Sequence, residues 1–353
     1  MLLDETGARG LVESLKSSDL TVKSMEESPR TERPKPPFTT STMQQDAGSR
    51  LGWGAQITMR IAQRLYENGY ITYMRTDSVN LSQQAVTAAR NAAKALYGAD
   101  HVADAPRTYV GKTKNAQEAH EAIRPTDFSV SQHNGKPEED KLYALIWKLA
   151  IASQMADARL EKTTVTIDSS GSSELFVAKG EVITFDGFLK VYLEGTDEEN
   201  DDEAKGLLPA MNSGDSIDRI TIVATERFAN HPPRYTEASL VKRLEELGIG
   251  RPSTYASTIS VIQKRGYVEM PEREGRKRNY RVITLDGHDL TANTETENTG
   301  AEKNKLAPTD IGIVVNDFLI KHFDKICSFR NIIIKNVTDC WNVQASCGYI
   351  TCN

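Results

Sequence analysis

The chain has 353 residues with 39% hydrophobic residues, 26% charged residues and a formal net charge of −6, a composition typical of two or three globular domains. No stretch approaches the roughly 18 consecutive apolar residues of a membrane-spanning helix, and the N-terminal MLLDETGARG lacks the regions of a signal peptide, so membrane insertion and secretion are not expected. The negative charge also argues against nucleic acid as a partner, because proteins that bind phosphate backbones are commonly basic.

The first 160 residues are predicted to be largely helical after an extended connector. Residues 28–37 (SPRTERPKPP) hold four prolines, which favour extended backbone. A helix is predicted over 54–68, because Ile57, Ile61 and Leu65 share one face and Gly69 follows. The β-branched and aromatic segment 70–77 predicts a strand. Further helices are predicted over 82–97, about 116–124 and 139–159.

From Lys162 the pattern changes to short β-branched runs separated by turn residues, which predicts an antiparallel sheet. The runs are 163–168, 175–178, 182–184, 189–193 and 220–224. An acidic run at 197–203 is predicted to be a loop of this sheet. The six carboxylates of this run carry a charge of −6, which is the net charge of the whole chain, so the remaining residues are formally neutral together. Helical periodicity resumes at Glu237.

The first motif that points to chemistry is ITYMRTDS at 71–78. In an extended strand, alternation places Tyr73, Arg75 and Asp77 on one face. A fixed guanidinium beside a phenol favours the phenolate and pairs with phosphate oxygens, which suits a tyrosine that attacks phosphorus. A half-exposed strand with a surface ion pair would show the same pattern.

The second motif is EAHEAIRPT at 118–126. On a helix, His120 and Arg124 are neighbours four residues apart, so an imidazole and a guanidinium can face one anion. Two solvated residues on a helix surface are the alternative interpretation.

The third motif covers 236–268 and reads as two helices around a glycine turn. Thr236 is predicted to cap the first helix and Ser253 the second, with strand-like residues 267–268 after Gly266. This order is typical of a helix-turn-helix with a possible wing, and the turn with Arg251 is a candidate anion site. Residues 234–278 hold ten Lys and Arg against six Asp and Glu. An ordinary helical hairpin remains the alternative.

Taken together and in this order, the three motifs closely resemble the bacterial type IA DNA topoisomerases. The segments PPFTTSTMQQDA (36–47) and KLAPTDIGIVVNDFL (305–319) match as well, so the resemblance covers about residues 20–326. It implies a mixed α and β multidomain chain that forms part of the family's toroid, with helix-turn-helix units in helical domains and an antiparallel β arch. The implied division is β arch at 1–33 and 161–233, the tyrosine-bearing domain at 34–160, part of a helical DNA-binding domain at 234–326, and a divergent tail at 327–353.

The resemblance implies that one strand of underwound DNA is cut through a 5′-phosphotyrosine, the other strand is passed and the cut is resealed, which relaxes negative supercoils. Tyr73 matches the nucleophile, Arg75 the arginine that stabilises the charged phosphate, and His120 a histidine that supports phosphate binding and proton transfer. The matching DNA-binding positions are Gln63, Glu67, Thr72, Asp77, Arg124, Arg251 and Thr254. The expected partner is single-stranded or underwound DNA, bound by a monomer in the bacterial cytoplasm at the nucleoid.

Two features depart from the family's pattern. Members of the family use Mg²⁺, which is held by an acidic cluster of a TOPRIM domain. No motif of this sequence matches that cluster. The acidic residues 201–203 are predicted to lie in a loop of the β region, which is the wrong context. All four cysteines fall within the last 27 residues, without a C-x-x-C pair that would suggest zinc. We therefore expect a central fragment without TOPRIM and without metal ligands. The alternative function is a catalytically incomplete module that only binds single-stranded DNA; a phosphotyrosine-forming recombinase would need a different arginine-histidine-arginine pattern.

Overall fold

The structure is a computed structural model that describes residues 3–110, 120–192, 208–209, 211–229, 232–323 and the backbone of 348–352. These residues form eight α-helices and ten strands, with turns and loops between them. The helices are α1 (Glu5–Ser14), α2 (Thr40–Leu51), α3 (Ala55–Glu67), α4 (Gln83–Tyr97), α5 (Pro137–Ala152), α6 (Glu237–Glu246), α7 (Tyr255–Lys264) and α8 (Asp310–His322). The strands are β1 (Leu20–Glu32), β2 (Ala158–Ser169), β3 (Ser172–Phe185), β4 (Ser216–Ile217), β5 (Thr221–Phe228), β6 (Val268–Glu269), β7 (Arg276–Asp286), β8 (Asp289–Thr299), β9 (Ala307–Pro308) and β10 (Gly348–Cys352).

The predicted antiparallel sheet has the strand order β3–β2–β1–β4. The first half of the predicted connector, residues 28–32, belongs to strand β1. The second half, residues 33–37, is extended outside any strand. Pro29 is tolerated in β1 because β4 pairs with only the first two residues of β1, which leaves β1 an edge strand at the proline.

Two sequence predictions about this sheet need correction, and a third cannot be compared with the structure. The runs 175–178 and 182–184 belong to one long strand, β3, because the glycine between them continues the ladder. In place of the predicted strand 189–193, the chain forms a 3-10 turn at Gly187–Lys190. The described residues of this segment end at 192. Gly187 has φ +49°, and a Cβ there would lie 2.5 Å from the Asp157 carbonyl oxygen, so this turn requires glycine. The acidic run 197–203 lies outside the described residues.

The largest apolar core lies where α2, α3 and α5 pack together. Helix α3 confirms the prediction over 54–68, with Ile61 and Leu65 buried, but Ile57 is 44% exposed because the first turn of α3 projects beyond this core. Helix α4 confirms the prediction over 82–97, with Ser82 and Gly98 as its caps. Helix α5 ends earlier than predicted, because the chain turns into β2 at Ala158.

Helices α6 and α7 form the predicted pair around a glycine turn. The Thr236 hydroxyl accepts a hydrogen bond from Ser239 N (3.1 Å), and Gly248 with φ +68° ends the first helix. The predicted Ser253 cap is wrong, because α7 starts at Tyr255 with Thr254 before it. Strand β6 follows as expected but pairs with β9.

A second sheet, in the order β10–β5–β7–β8, packs against α1. It takes strands from both sides of the predicted boundary at 233, and the division of the chain by residue number stays a prediction. The long β7–β8 hairpin and α1 were not predicted from the sequence. Within the described residues, no helix is long and apolar enough to cross a membrane.

Candidate active site

The segment that carries Tyr73, residues 70–78, is not the predicted strand. Among the described residues, its one ladder contact is a single bridge between Ile71 and Pro125. The predicted alternation nevertheless holds in the burial of the side chains: Met74 is fully buried and Thr76 is 2% exposed, while Tyr73 is 43% exposed. The segment is therefore extended and two-sided, as the sequence indicates, although it lacks a partner strand.

The backbone of this segment is held by the first residue of α2 instead. Thr40 N donates to Thr76 O (2.9 Å), and Thr76 N donates to the Thr40 hydroxyl (2.8 Å). The same hydroxyl donates to Met74 O at 2.7 Å. These bonds take the place of a strand ladder on both sides of Arg75 and leave its side chain exposed.

The second motif is extended at 120–124, so the predicted helix over 116–124 is wrong there; residues 116–119 lie outside the described residues. Thr72 N donates to Arg124 O (2.9 Å), and the Thr72 hydroxyl accepts from Arg124 N (3.0 Å) and donates to Ala122 O (2.7 Å). Pro125 explains the conformation, because the residue before a proline avoids helical backbone. Thr72 thus uses its side chain to join the two motifs.

The predicted sharing of one anion by His120 and Arg124 is not seen. The Arg124 guanidinium donates to the Glu121 carboxylate (2.8 Å) and to Pro125 O (2.9 Å). The same carboxylate accepts from Ser82 N (2.6 Å) at the start of α4. Burial would raise the pKa of Glu121, but the hydrogen bonds from Arg124 and Ser82 outweigh it and lower that pKa. His120 is exposed at the start of this segment.

Tyr73 presents its ring to solvent beside α3. Its ring meets the ring of Tyr66 edge to face, with the centroids 5.2 Å apart. Tyr66 is itself 40% exposed, so this contact orients the Tyr73 ring without burying it. A phenol held in this way is accessible to a large substrate.

A groove of about 560 Å³ lies between α3 and the start of α7; we call it the α3–α7 groove. It brings together three predicted site residues, Gln63, Glu67 and Arg75. Gln63 Nε2 donates to Glu67 Oε1 at 2.7 Å. The other lining residues are Gln56, Met59, Arg60, Pro252, Ser253, Ala256 and Ser257.

Arg60 is the lining residue of most chemical interest that the sequence motifs did not single out. Its side chain is exposed, as is that of Arg75, and within the described residues neither guanidinium has a hydrogen bond or an ion pair. Arg60 lies three residues before Gln63, on the same side of α3. That spacing from a motif residue is the signal that could have identified it.

The turn before α7 forms the opposite wall of the groove. Thr254 Oγ1 accepts from Arg251 N (2.9 Å), so this hydroxyl does not cap α7, and α7 has no side-chain cap. Burial, together with Glu245 and Asp77, raises the pKa of Tyr255 to about 12, although Arg251 acts to lower it. Asp77 and Arg251 therefore both act on Tyr255, which places the end of the tyrosine segment beside this turn.

Within the described part of the chain, no three His, Cys, Asp or Glu side chains cluster closely enough to hold a metal ion. The described residues thus do not fit the Mg²⁺ that the resemblance leads one to expect.

Comparisons with known proteins identify the family. A profile of the DNA topoisomerase family matches residues 2–284. This chain belongs to the bacterial type IA DNA topoisomerases. DNA topoisomerase 1 of Mycobacterium leprae is 50% identical over 281 residues, which are 76% of this chain and 30% of that protein. DNA topoisomerase 1 of Zymomonas mobilis is 41% identical over 332 residues, which are 93% of this chain and 25% of that protein.

The solved structure of full-length topoisomerase I from Thermotoga maritima matches with a TM-score of 0.69 and 31% identity, over 96% of this chain and 51% of that one. This match confirms the predicted fold class, a mixed α and β chain of the type IA topoisomerase kind. The chain spans 25 to 30% of the length of these two curated topoisomerases. The roles of the individual site residues stay predictions.

Proposed function

We propose that this chain is the strand-cleaving part of a type IA topoisomerase, with Tyr73 as the nucleophile and the α3–α7 groove as the binding site for a single DNA strand. One observation carries the proposal: the groove collects Gln63, Glu67 and Arg75, and Arg75 is two residues from an exposed Tyr73. Two extended residues span at most about 7 Å, so a strand in the groove would pass within reach of the phenol.

The reaction is a transesterification. The Tyr73 oxygen attacks a backbone phosphorus, the bond from phosphorus to the 3′ oxygen breaks, and the phosphorus stays bonded to the 5′ oxygen of the downstream segment, whose 5′ end is then held as a phosphotyrosine. The phenol gives up one proton and the 3′ oxygen takes up one, so no water is consumed and the reverse step reseals the strand. Arg75 would stabilise the added charge on the phosphate, and His120 would support phosphate binding and proton transfer.

The DNA-binding roles follow from the positions of the remaining residues. Gln63 and Glu67 would contact the strand inside the groove, while Arg251, Thr254 and Asp77 would guide it where α7 begins. The exposed guanidinium groups of Arg60 and Arg75 supply the positive charge that a phosphate backbone requires. Thr72 and Arg124 would act indirectly, by holding the tyrosine segment in place through their mutual hydrogen bonds.

The Mg²⁺ requirement, the strand passage and the relaxation of negative supercoils belong to the whole enzyme. We place its action on underwound DNA, as a monomer in the bacterial cytoplasm at the nucleoid, by relationship to the curated topoisomerases. A second candidate function is binding of single-stranded DNA without cleavage. The exposed groove with Arg60 and Arg75 supports binding by these residues without any metal.

Two measurements test the proposal. The purified chain should bind a fluorescent single-stranded oligonucleotide with an affinity that falls as salt rises, and should not relax a supercoiled plasmid with Mg²⁺ unless a separately produced TOPRIM region is added. With that addition, a covalent DNA adduct should form in the wild type and disappear in Tyr73→Phe, which keeps its binding. An adduct in Tyr73→Phe would show that another residue is the nucleophile, and relaxation by the chain alone would overturn the fragment hypothesis.

A further inference from the structure

Glu237, the first residue of α6, makes hydrogen bonds to two other helices. Its Oε2 accepts from Ala55 N, the first residue of α3, at 2.8 Å. Its Oε1 accepts from Gln263 Nε2, near the end of α7, at 2.9 Å. One carboxylate therefore connects the two helices that line the α3–α7 groove.

Helix α3 depends on this carboxylate for its cap. Its own N-cap residue is Gly54, which offers no side-chain hydrogen bond. A Cβ at Gly54 would lie 2.6 Å from Glu237 Oε2, so glycine is needed for the carboxylate to approach. A negative charge at this position also interacts favourably with the positive end of the helix dipole.

The same contacts relate the two helices to the groove. Glu237 connects the start of α3 to the end of α7. The groove is lined along α3 from Gln56 to Glu67 and by Ser257 in the first turn of α7, so a shift of either helix changes its width.

We propose that Glu237 is a positioning residue for DNA binding: it holds α3 and α7 at the spacing that lets one DNA strand lie in the groove between Arg60 of α3 and the start of α7. The inference rests on the proposed function, because it assigns that groove to single-stranded DNA. Glu237 itself does not contact the strand.

Electrostatics and positioning predict opposite signs for the loss of this side chain. Removing a carboxylate near a DNA-binding groove reduces repulsion of phosphate and, on charge alone, strengthens binding. Loss of a spacer lets the groove change width, so binding weakens although the net charge becomes more favourable. The sign of the change distinguishes the two.

The test measures the affinity of the full chain for a fluorescent oligothymidine at several salt concentrations, together with far-UV circular dichroism and urea unfolding. Glu237→Ala should weaken binding about fivefold or more, the low end of typical couplings between sites, and flatten the salt dependence because a phosphate contact is lost. Glu237→Gln should bind nearly as the wild type, since its amide oxygen can accept from Ala55 N while a flipped Gln263 accepts from its NH₂.

Two control variants separate positioning from charge and from stability. Glu246→Ala removes the same charge from the same helix, where Glu246 pairs with Arg243 in the next turn back, and should leave the affinity unchanged or slightly tighter. Thr236→Ala removes the cap of α6 and should reduce stability without changing the salt dependence, because Thr236 does not bond to α3. Gln263→Ala removes one of the two bonds and should weaken binding less than Glu237→Ala.

The outcomes distinguish the inference from the function on which it rests. If the wild type binds and Glu237→Ala binds equally well or more tightly while folded, the positioning role is refuted and the proposed function stands. If Glu237→Ala does not fold, wild-type affinity in Gln263→Ala refutes the role, and weakened affinity with an unchanged circular dichroism spectrum supports it. If the wild type itself fails to bind the oligonucleotide, the proposed function is wrong and the inference falls with it.

Discussion

Thr40 and Thr76 hold each other through a reciprocal pair of hydrogen bonds, one from backbone to backbone and one from backbone to side chain. The Thr40 hydroxyl is fully buried and also bonds to Met74 O, so it fixes the tyrosine segment on both sides of Arg75. This one hydroxyl therefore joins the start of α2 to the backbone of Met74 and of Thr76.

Thr40→Val keeps the shape of this side chain and removes its hydroxyl. Thr76 N would lose its acceptor in a buried place, so we expect a loss of about 1–3 kcal/mol in the free energy of unfolding. Urea unfolding measures it, with Thr40→Ser as the control that keeps the hydroxyl and should lose less. Equal losses in the two variants would mean that the methyl group, and not the hydroxyl, matters here.

Elements with local sequence signals were predictable, whereas elements held by distant residues were not. Helices α3, α4 and α6 were predictable because local signals agree: a glycine follows each of them, and a hydroxyl side chain caps α4 and α6. The tyrosine segment was not, since its hydrogen-bond partners at Thr40 and Arg124 are distant in sequence. Alternation gave the correct exposed face of this segment because side-chain direction depends only on local extension.

The groove shows the same limit. The motif residues Gln63, Glu67 and Arg75 were recognisable by their resemblance to the family, and they do meet in space. The contribution of Glu237 arises only when α6 and α7 pack beside α3, which no local pattern encodes. Arg124 matched its motif as well, yet its pairing with Glu121 depends on the extended conformation that precedes Pro125.

Gly48 in α2 lies directly against Ala238 in α6. A Cβ there would lie 2.6 Å from the Ala238 Cβ, with no flexible group to move aside. Gly48→Ala should therefore destabilise the chain by about 1–3 kcal/mol, as other overpacked sites do.

Gly10→Ala is the matched control for Gly48→Ala. Gly10 lies in α1 with open space around its Cα, so alanine there should stabilise the chain by about 0.5–1 kcal/mol. Thermal unfolding of both variants gives the comparison. A stabilising effect of Gly48→Ala would mean that α2 and α6 are not in direct contact.

Arg60→Gln tests whether the groove carries DNA. Affinity falls as salt rises, and each phosphate contact on a single strand adds about 0.7 to the steepness of log affinity against log salt. If Arg60 contacts one phosphate, Arg60→Gln should make this dependence shallower by about 0.7. Oligonucleotide titrations at three or more salt concentrations measure the slope. Arg9→Gln, on the exposed face of α1, removes an equal charge far from the groove and should leave the slope unchanged. Equal slopes for wild type and Arg60→Gln would place the strand elsewhere.

Glu121 should make part of the chain's stability dependent on pH. Its carboxylate bonds to Arg124 and to Ser82 N, and these bonds lower its pKa below the ordinary 4.5 despite burial. A carboxylate with a lowered pKa in the folded state stabilises the fold above its unfolded pKa, and that contribution is lost as the pH falls through the folded value. Glu121→Gln should therefore be less stable than the wild type near neutral pH, and the difference should shrink below about pH 4.5.

Urea unfolding at a series of pH values from neutral to acid measures this difference. Glu13→Gln is the control, because Glu13 pairs with Arg9 on the surface of α1 and caps no helix. Its difference from the wild type should stay small throughout, since exposed pairs contribute little. A gap between Glu121→Gln and the wild type that stays constant or widens on acidification would show that the carboxylate is not what holds α4 and the 120–126 segment together.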